Sequence, residues 1–137
     1  MKVSFDVDGT LSEDEGVQTL ATTLNRAGGF KFFWERGSPF LKPLVLTSRS
    51  EEKWGNDLEF KRFLDYFGFS MADVVFTDHK PKSEFVDELG IDLHFDSDPI
   101  EVDAINRNCK CRAVLVGFKI KECNNLKKKP EFLRALF

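Results

Sequence analysis

Two carboxylates stand two positions apart near the start of the chain, in Phe5-Asp6-Val7-Asp8-Gly9-Thr10-Leu11. The run follows a short apolar opening, Met1-Lys2-Val3-Ser4, which reads as a strand. Strand side chains alternate, so Asp6 and Asp8 start on one side of it. Gly9 lets the backbone turn sharply just beyond them. Paired carboxylates at the end of a buried strand are costly unless a metal or a reacting group compensates them. The plain alternative is turn chemistry, because Asp-Gly is a common turn pair.

The elements that must position this pair alternate along the chain. Lys2–Val7 is predicted as the first strand. A helix follows, carrying Val17, Leu20, Ala21 and Leu24, with Ser12 as its N-cap and Gly28-Gly29 as its stop. Residues 43–47 form a second strand, leading into Ser48-Arg49-Ser50. Leu58–Phe67 carries an apolar helical stripe ended by Gly68. Asp73–Thr77, Asp92–Phe95 and Arg112–Phe118 read as further strands, with helices over Ser83–Leu89 and Ile100–Arg107 between them. Phe30–Phe40 is aromatic and irregular, either a short hairpin or a surface loop.

Strand–helix alternation predicts an α/β fold: a three-layer Rossmann-like sandwich with a central, mainly parallel five-stranded sheet and helices on both faces. In such sheets the crevice lies beyond the carboxyl ends of the strands. Asp6/Asp8, Thr47/Ser48 and Asp96/Asp98 all fall there.

With 137 residues, one domain spanning 1–137 is expected, large enough for its own core. The 42% hydrophobic content argues against disorder, and 15 phenylalanines point to aromatic core packing. A net charge of -3 gives no general reason to expect nucleic-acid or membrane partners. No apolar run is long enough to span a bilayer, and the N-terminus lacks the pattern of a signal peptide, so a cytoplasmic protein is expected. Cys109, Cys111 and Cys123 have a poor zinc spacing and read as reduced thiols.

Taken together, the motifs resemble those of the haloacid dehalogenase superfamily of phosphotransferases, over roughly Lys2 to Gly117. Phe5–Leu11 matches that family's first motif, and Val45-Leu46-Thr47-Ser48-Arg49 its second. Lys82 stands at the place of the third motif's lysine, with Lys80 as a competitor two residues earlier. His94-Phe95-Asp96-Ser97-Asp98 is similar to the fourth, acidic motif.

The resemblance implies a phosphatase hydrolysing a phosphomonoester. Asp6 is then the nucleophile that forms an aspartyl-phosphate, and Asp8 the general acid and base. Thr47 and the Ser48 backbone N–H hold phosphoryl oxygens, and Lys82 neutralises charge on the Asp6–phosphate pair. Clustered negative charge calls for Mg²⁺, with the Asp6 carboxylate, the Asp8 carbonyl and Asp96 as implied ligands and Asp98 orienting a metal-bound water. Which of Asp96 and Asp98 contacts the metal directly stays open, because Ser97 separates them. Thr47-Ser48 has a capping role as its structural alternative. Arg49 is expected to bind a distal anionic group of the substrate, its alternative being a salt bridge to Glu51 or Glu52. His79 and His94 are expected to be packing or surface residues, and Glu101 and Asp103 to decorate a helix, their alternative being contact with the metal's bound waters.

The spacings between motifs leave no room for a large cap domain. An uncapped crevice admits small molecules, polymer ends or protein side chains, and a neighbouring subunit of a homo-oligomer can close it. Phe30–Trp34 is either a stacking platform or packing over the sheet edge. The pattern also resembles the phosphatase domain of polynucleotide kinase-phosphatases, which implies a nucleic-acid 3′ end. The acidic net charge disfavours that substrate, although Lys119, Lys121 and Lys127–Lys129 could form a basic patch. The same residues are compatible with a nucleotide phosphatase, or with a binding module that keeps the fold and turns over weakly.

Overall fold

The computed structural model describes residues 1–25 and 42–117. Its strands are β1 (Val3–Phe5), β2 (Leu44–Thr47), β3 (Val74–Phe76), β4 (Leu93–Asp96) and β5 (Arg112–Leu115). They form one sheet in the order β3-β2-β1-β4-β5, and every neighbouring pair is parallel. The helices are α1 (Glu15–Asn25), α2 (Glu51–Trp54), α3 (Leu58–Phe67) and α4 (Pro99–Asn108). The expected α/β sandwich is therefore present, with β1 and its carboxylates at the centre of the sheet.

Strand alternation divides the core between the two faces. Val3, Phe5, Val45 and Phe95 pack with Val17, Leu20 and Ala21 of α1 and with Phe60, Leu64 and Phe67 of α3. Phe5 lies stacked on Phe95 with ring centroids 5.4 Å apart. On the opposite face, Leu46 and Ala113 pack with Val86, Ile91 and Ile105 of α4. Ser4, Asp6, His94 and Asp96 share the strand phase of this second face. A sheet covered on both sides has little room for unpaired polar groups, which makes these four conspicuous.

Several local expectations need correction. Asp14, rather than Ser12, caps α1: its Oδ1 accepts from Val17 N–H at 3.1 Å. Ser12 Oγ instead accepts from Gly9 N–H at 2.9 Å, inside a wide turn over Val7–Leu11 closed by Leu11 N–H to Asp6 O and Ser12 N–H to Val7 O. The helix expected over Ser83–Leu89 is a 3₁₀ turn, Lys82–Glu84, followed by turns as far as Gly90. So short a segment has little helical stability of its own. It is held by tertiary bonds, because Lys82 reaches into the sheet while the Asp87 carboxylate accepts from the backbone of Lys110 and Cys111. By contrast, Leu58–Phe67 is the helix foreseen, capped by Asp57 and ended by Gly68 at φ 87°.

Strand β5 ends at Leu115, short of the expected Phe118. The Gly28-Gly29 stop, the aromatic segment Phe30–Phe40, Cys123 and the late lysines lie outside the described residues. Among the described residues no cap domain is present, and no helix is long and apolar enough to cross a membrane.

Candidate active site

Lys82 joins the ends of the neighbouring strands β1 and β4. Its ammonium donates to Asp6 Oδ1 at 2.8 Å and to Asp96 Oδ2 at 2.6 Å. All three residues are at most 5% exposed. The competitor Lys80 is exposed, on the turn that follows β3. The Lys82 backbone N–H is taken by Glu101 Oε2 at 2.9 Å, which ties the lysine to α4.

Two buried carboxylates share one ammonium, and they do so unequally. Burial lifts the Asp6 carboxyl to about 7 against the pull of Lys82, and the charge on Asp96 adds to the rise. For Asp96 burial acts the same way, but the His94 hydrogen bond and the Lys82 charge outweigh it and hold the carboxyl below its ordinary range. Burial also opposes the charge on Lys82, yet Asp6 and Asp96 together keep its pKa above the usual lysine value. Asp6 is thus the under-compensated member of the cluster.

Asp8 leaves the wide turn as an exposed side chain, and Arg49 grips it through two hydrogen bonds. Arg49 also lies over the rings of Trp54 and Phe60, 4.2 and 5.0 Å from their centroids. Its carboxylate partner is thus Asp8 rather than Glu51 or Glu52, the acids offered by the sequence as its salt-bridge alternative. The Asp8 carbonyl accepts from Ser97 Oγ at 2.7 Å. That contact explains Gly9, where a Cβ would stand 2.5 Å from the same Ser97 oxygen.

Asp6, Asp8, Ser48, Lys82, Asp96, Ser97, Asp98 and Glu101 line a crevice of about 180 Å³ at the carboxyl ends of the strands. Comparison with family models, curated proteins and solved structures returned no match. The chemistry of the site therefore has to be read from its own geometry.

Most of the residues singled out in the sequence converge here, but Thr47 and Arg49 do not line the crevice. Thr47 is fully buried, its hydroxyl accepting from Arg49 N–H at 3.3 Å. Asp98 caps α4 through Oδ1, which accepts from Ile100 N–H at 2.9 Å. His79 is exposed on a turn where it and Asp78 adopt φ of 64° and 52°. Backbone bonds from His79 N–H to Ser48 O and from Asp78 N–H to Arg49 O dock that turn against the loop that follows β2.

Ser97, Ser4 and His94 were not foreseen as site residues, and Glu101 only as an alternative to a helix-surface role. Parity could have found two of them: Ser4 and His94 precede Asp6 and Asp96 by two, hence on the same strand face.

The lining suits a hard divalent cation. It offers oxygen donors only, and negative charge is in excess around one ammonium. Among the described residues no three side chains of His, Cys, Asp or Glu converge as a preformed cage. The donors at hand are the carboxylates of Asp6 and Asp96 and the Asp8 backbone carbonyl, oxygen ligands of the kind hard cations take. Cys109 and Cys111 do not line this site. Cys109 Sγ donates to Ser83 O, and burial together with Asp87 pushes the Cys111 thiol up to about 12.

Proposed function

We propose that the protein is a Mg²⁺-dependent phosphatase that hydrolyses a phosphomonoester through an aspartyl-phosphate on Asp6. One observation carries this reading: the under-compensated Asp6 carboxylate, held by Lys82 at the floor of the crevice, with Asp8 on the next exposed position of the turn. Asp6, the Asp8 carbonyl and Asp96 would hold the ion, with Asp98 beside them. When bound, Mg²⁺ supplies positive charge that offsets the carboxylates and the phosphoryl oxygens.

The residues then divide the work. An Asp6 carboxylate oxygen attacks phosphorus, and the bond to the leaving oxygen breaks as Asp8 gives that oxygen a proton. Asp8 next takes a proton from the water that attacks the aspartyl-phosphate, and phosphate departs with Asp6 restored. Lys82 stays on Asp6 throughout and offsets the charge gathered there. Asp8 can act only once Arg49 releases it. A phosphate oxygen is a strong competitor for a guanidinium, so substrate entry provides the exchange.

The open crevice suits a small phosphorylated molecule or a polymer end, and a second copy of the chain could close it. A nucleotide or a nucleic-acid 3′ end fits the same chemistry, as does a cytoplasmic setting.

A phosphatase screen with Mg²⁺ over sugar phosphates, nucleotides, phosphopeptides and 3′-phosphorylated oligonucleotides tests the proposal, with Asp6→Asn as control. Turnover by the wild type and none by the variant is expected. Equal rates from both would remove Asp6 from the chemistry, and no turnover of any substrate would favour a binding module.

A further inference from the structure

Ser4 and His94 are register partners where β1 pairs with β4. His94 is fully buried, with Nδ1 2.7 Å from Ser4 Oγ and Nε2 2.8 Å from Asp96 Oδ2. The same Asp96 oxygen accepts from Lys82, which in turn reaches Asp6. A continuous polar chain thus runs from Ser4 through His94, Asp96 and Lys82 to Asp6, with Ser4 and His94 fully buried and the other three lining the crevice.

A carboxylate only accepts, so the proton between His94 and Asp96 sits on Nε2. Nδ1 is left to accept from the Ser4 hydroxyl. Packing alone does not require this arrangement. An apolar ring would fill the same space without the cost of burying an imidazole, as Phe95 does on the other face. Two donors on Oδ2 fix the plane of the Asp96 carboxylate. Its Oδ1 stays with the Ser97–Asp98 turn at the crevice, where it accepts from Asp98 N–H at 3.0 Å.

We propose that His94, oriented by Ser4, is a positioning residue that sets the rotamer of Asp96 and through it the Lys82–Asp6 contact. Its kinetic consequence rests on the phosphatase reading above; its geometry does not. Outer-shell hydrogen bonds of this kind typically govern about 10–100-fold of metal affinity or activity.

The test uses the full chain with p-nitrophenyl phosphate and Mg²⁺, thermal melts as the check of folding, and ¹⁵N NMR of the His94 imidazole. His94→Leu is expected to lower kcat by about 10–100-fold with KM little changed. His94→Gln, whose amide can still donate to Asp96, is expected to recover most of that loss. A leucine variant as active as the wild type, or a folded glutamine variant no better than leucine, overturns the proposal. Should His94→Leu not fold, Ser4→Ala carries the test: a severalfold drop in kcat supports the role, and an unchanged kcat overturns it. The NMR spectrum separates this idea from the phosphatase reading. A proton on Nδ1 refutes the chain of hydrogen bonds whether or not the protein turns over phosphoester. A proton on Nε2 in an inactive wild type supports the positioning geometry and counts against the phosphatase.

Discussion

Both oxygens of the Asp8 carboxylate accept from Arg49, Oδ1 from Nη2 at 2.7 Å and Oδ2 from Nε at 3.1 Å. In this arrangement neither oxygen is free to hand a proton to a leaving group. Arg49 is stacked on Trp54 and Phe60, and under the proposed phosphatase reading that platform lets the guanidinium exchange Asp8 for a substrate anion.

Arg49→Ala is expected to raise KM by about tenfold, since a charge-assisted bond to the substrate is lost, and to change kcat less. Steady-state kinetics on the best substrate of the screen checks this. The same variant should be only mildly destabilised, by no more than about 1 kcal/mol from the ion pair, because the Asp8 side chain is 63% exposed and well screened. An unchanged KM with a clear loss of thermal stability would make Arg49 a structural residue.

Lys82 and Lys80 should behave very differently. Lys82→Met leaves Asp6 and Asp96 buried without their cation and is expected to destabilise the fold by about 3–5 kcal/mol. Lys80→Ala alters an exposed side chain and should stay within about 0.5 kcal/mol of wild type. Urea unfolding of both variants at pH 7 distinguishes them.

Asp6 gives the ion-free protein a definite pH signature. Its carboxyl titrates at about 7 in the fold, against 3.8 for the unperturbed group. Folding therefore favours the protonated form. That stability is complete below about pH 4 and is lost as pH rises through about 7. Asp6→Asn stays neutral and escapes the loss. Its advantage over wild type, measured by urea unfolding in chelator, should grow between about pH 5 and 8. Buried His94, whose pKa burial lowers, has the opposite slope but is common to both proteins. A constant difference across that range would show that Asp6 is already ionised throughout.

Asp96 and Asp98, at the end of β4, should also part company. Asp96→Asn is expected to raise the Mg²⁺ concentration for half-maximal activity by about tenfold or more. Asp98→Ala should mainly cost the α4 cap, about 1 kcal/mol of stability. Titrating Mg²⁺ into chelator-treated protein reads the first, and thermal melts read the second. Chelation itself should stop turnover without unfolding, since the sheet core is built without the ion. Activity that persists in excess chelator would exclude the metal from the mechanism.

What the sequence determined by itself is what local spacing and periodicity can encode. Alternating apolar runs placed all five strands and the helix Leu58–Phe67, and the Gly turn put Asp6 and Asp8 at a sheet end, although β1 stops at Phe5 rather than Val7 and strand parity does not extend to Asp8. Those features depend on neighbours in the chain. The choice of Lys82 over Lys80, the pairing of Asp8 with Arg49 and the use of His94 behind Asp96 depend on residues 14 to 90 positions apart. Their partners are chosen by the parallel register of β1 with β4 and by the burial that makes an unpaired charge costly. The short segment after Pro81 shows the same division. Its apolar spacing reads as a helix, but the bonds made by Lys82 and Asp87 to distant groups exceed what so few helical turns can contribute, and tertiary contact decides its shape.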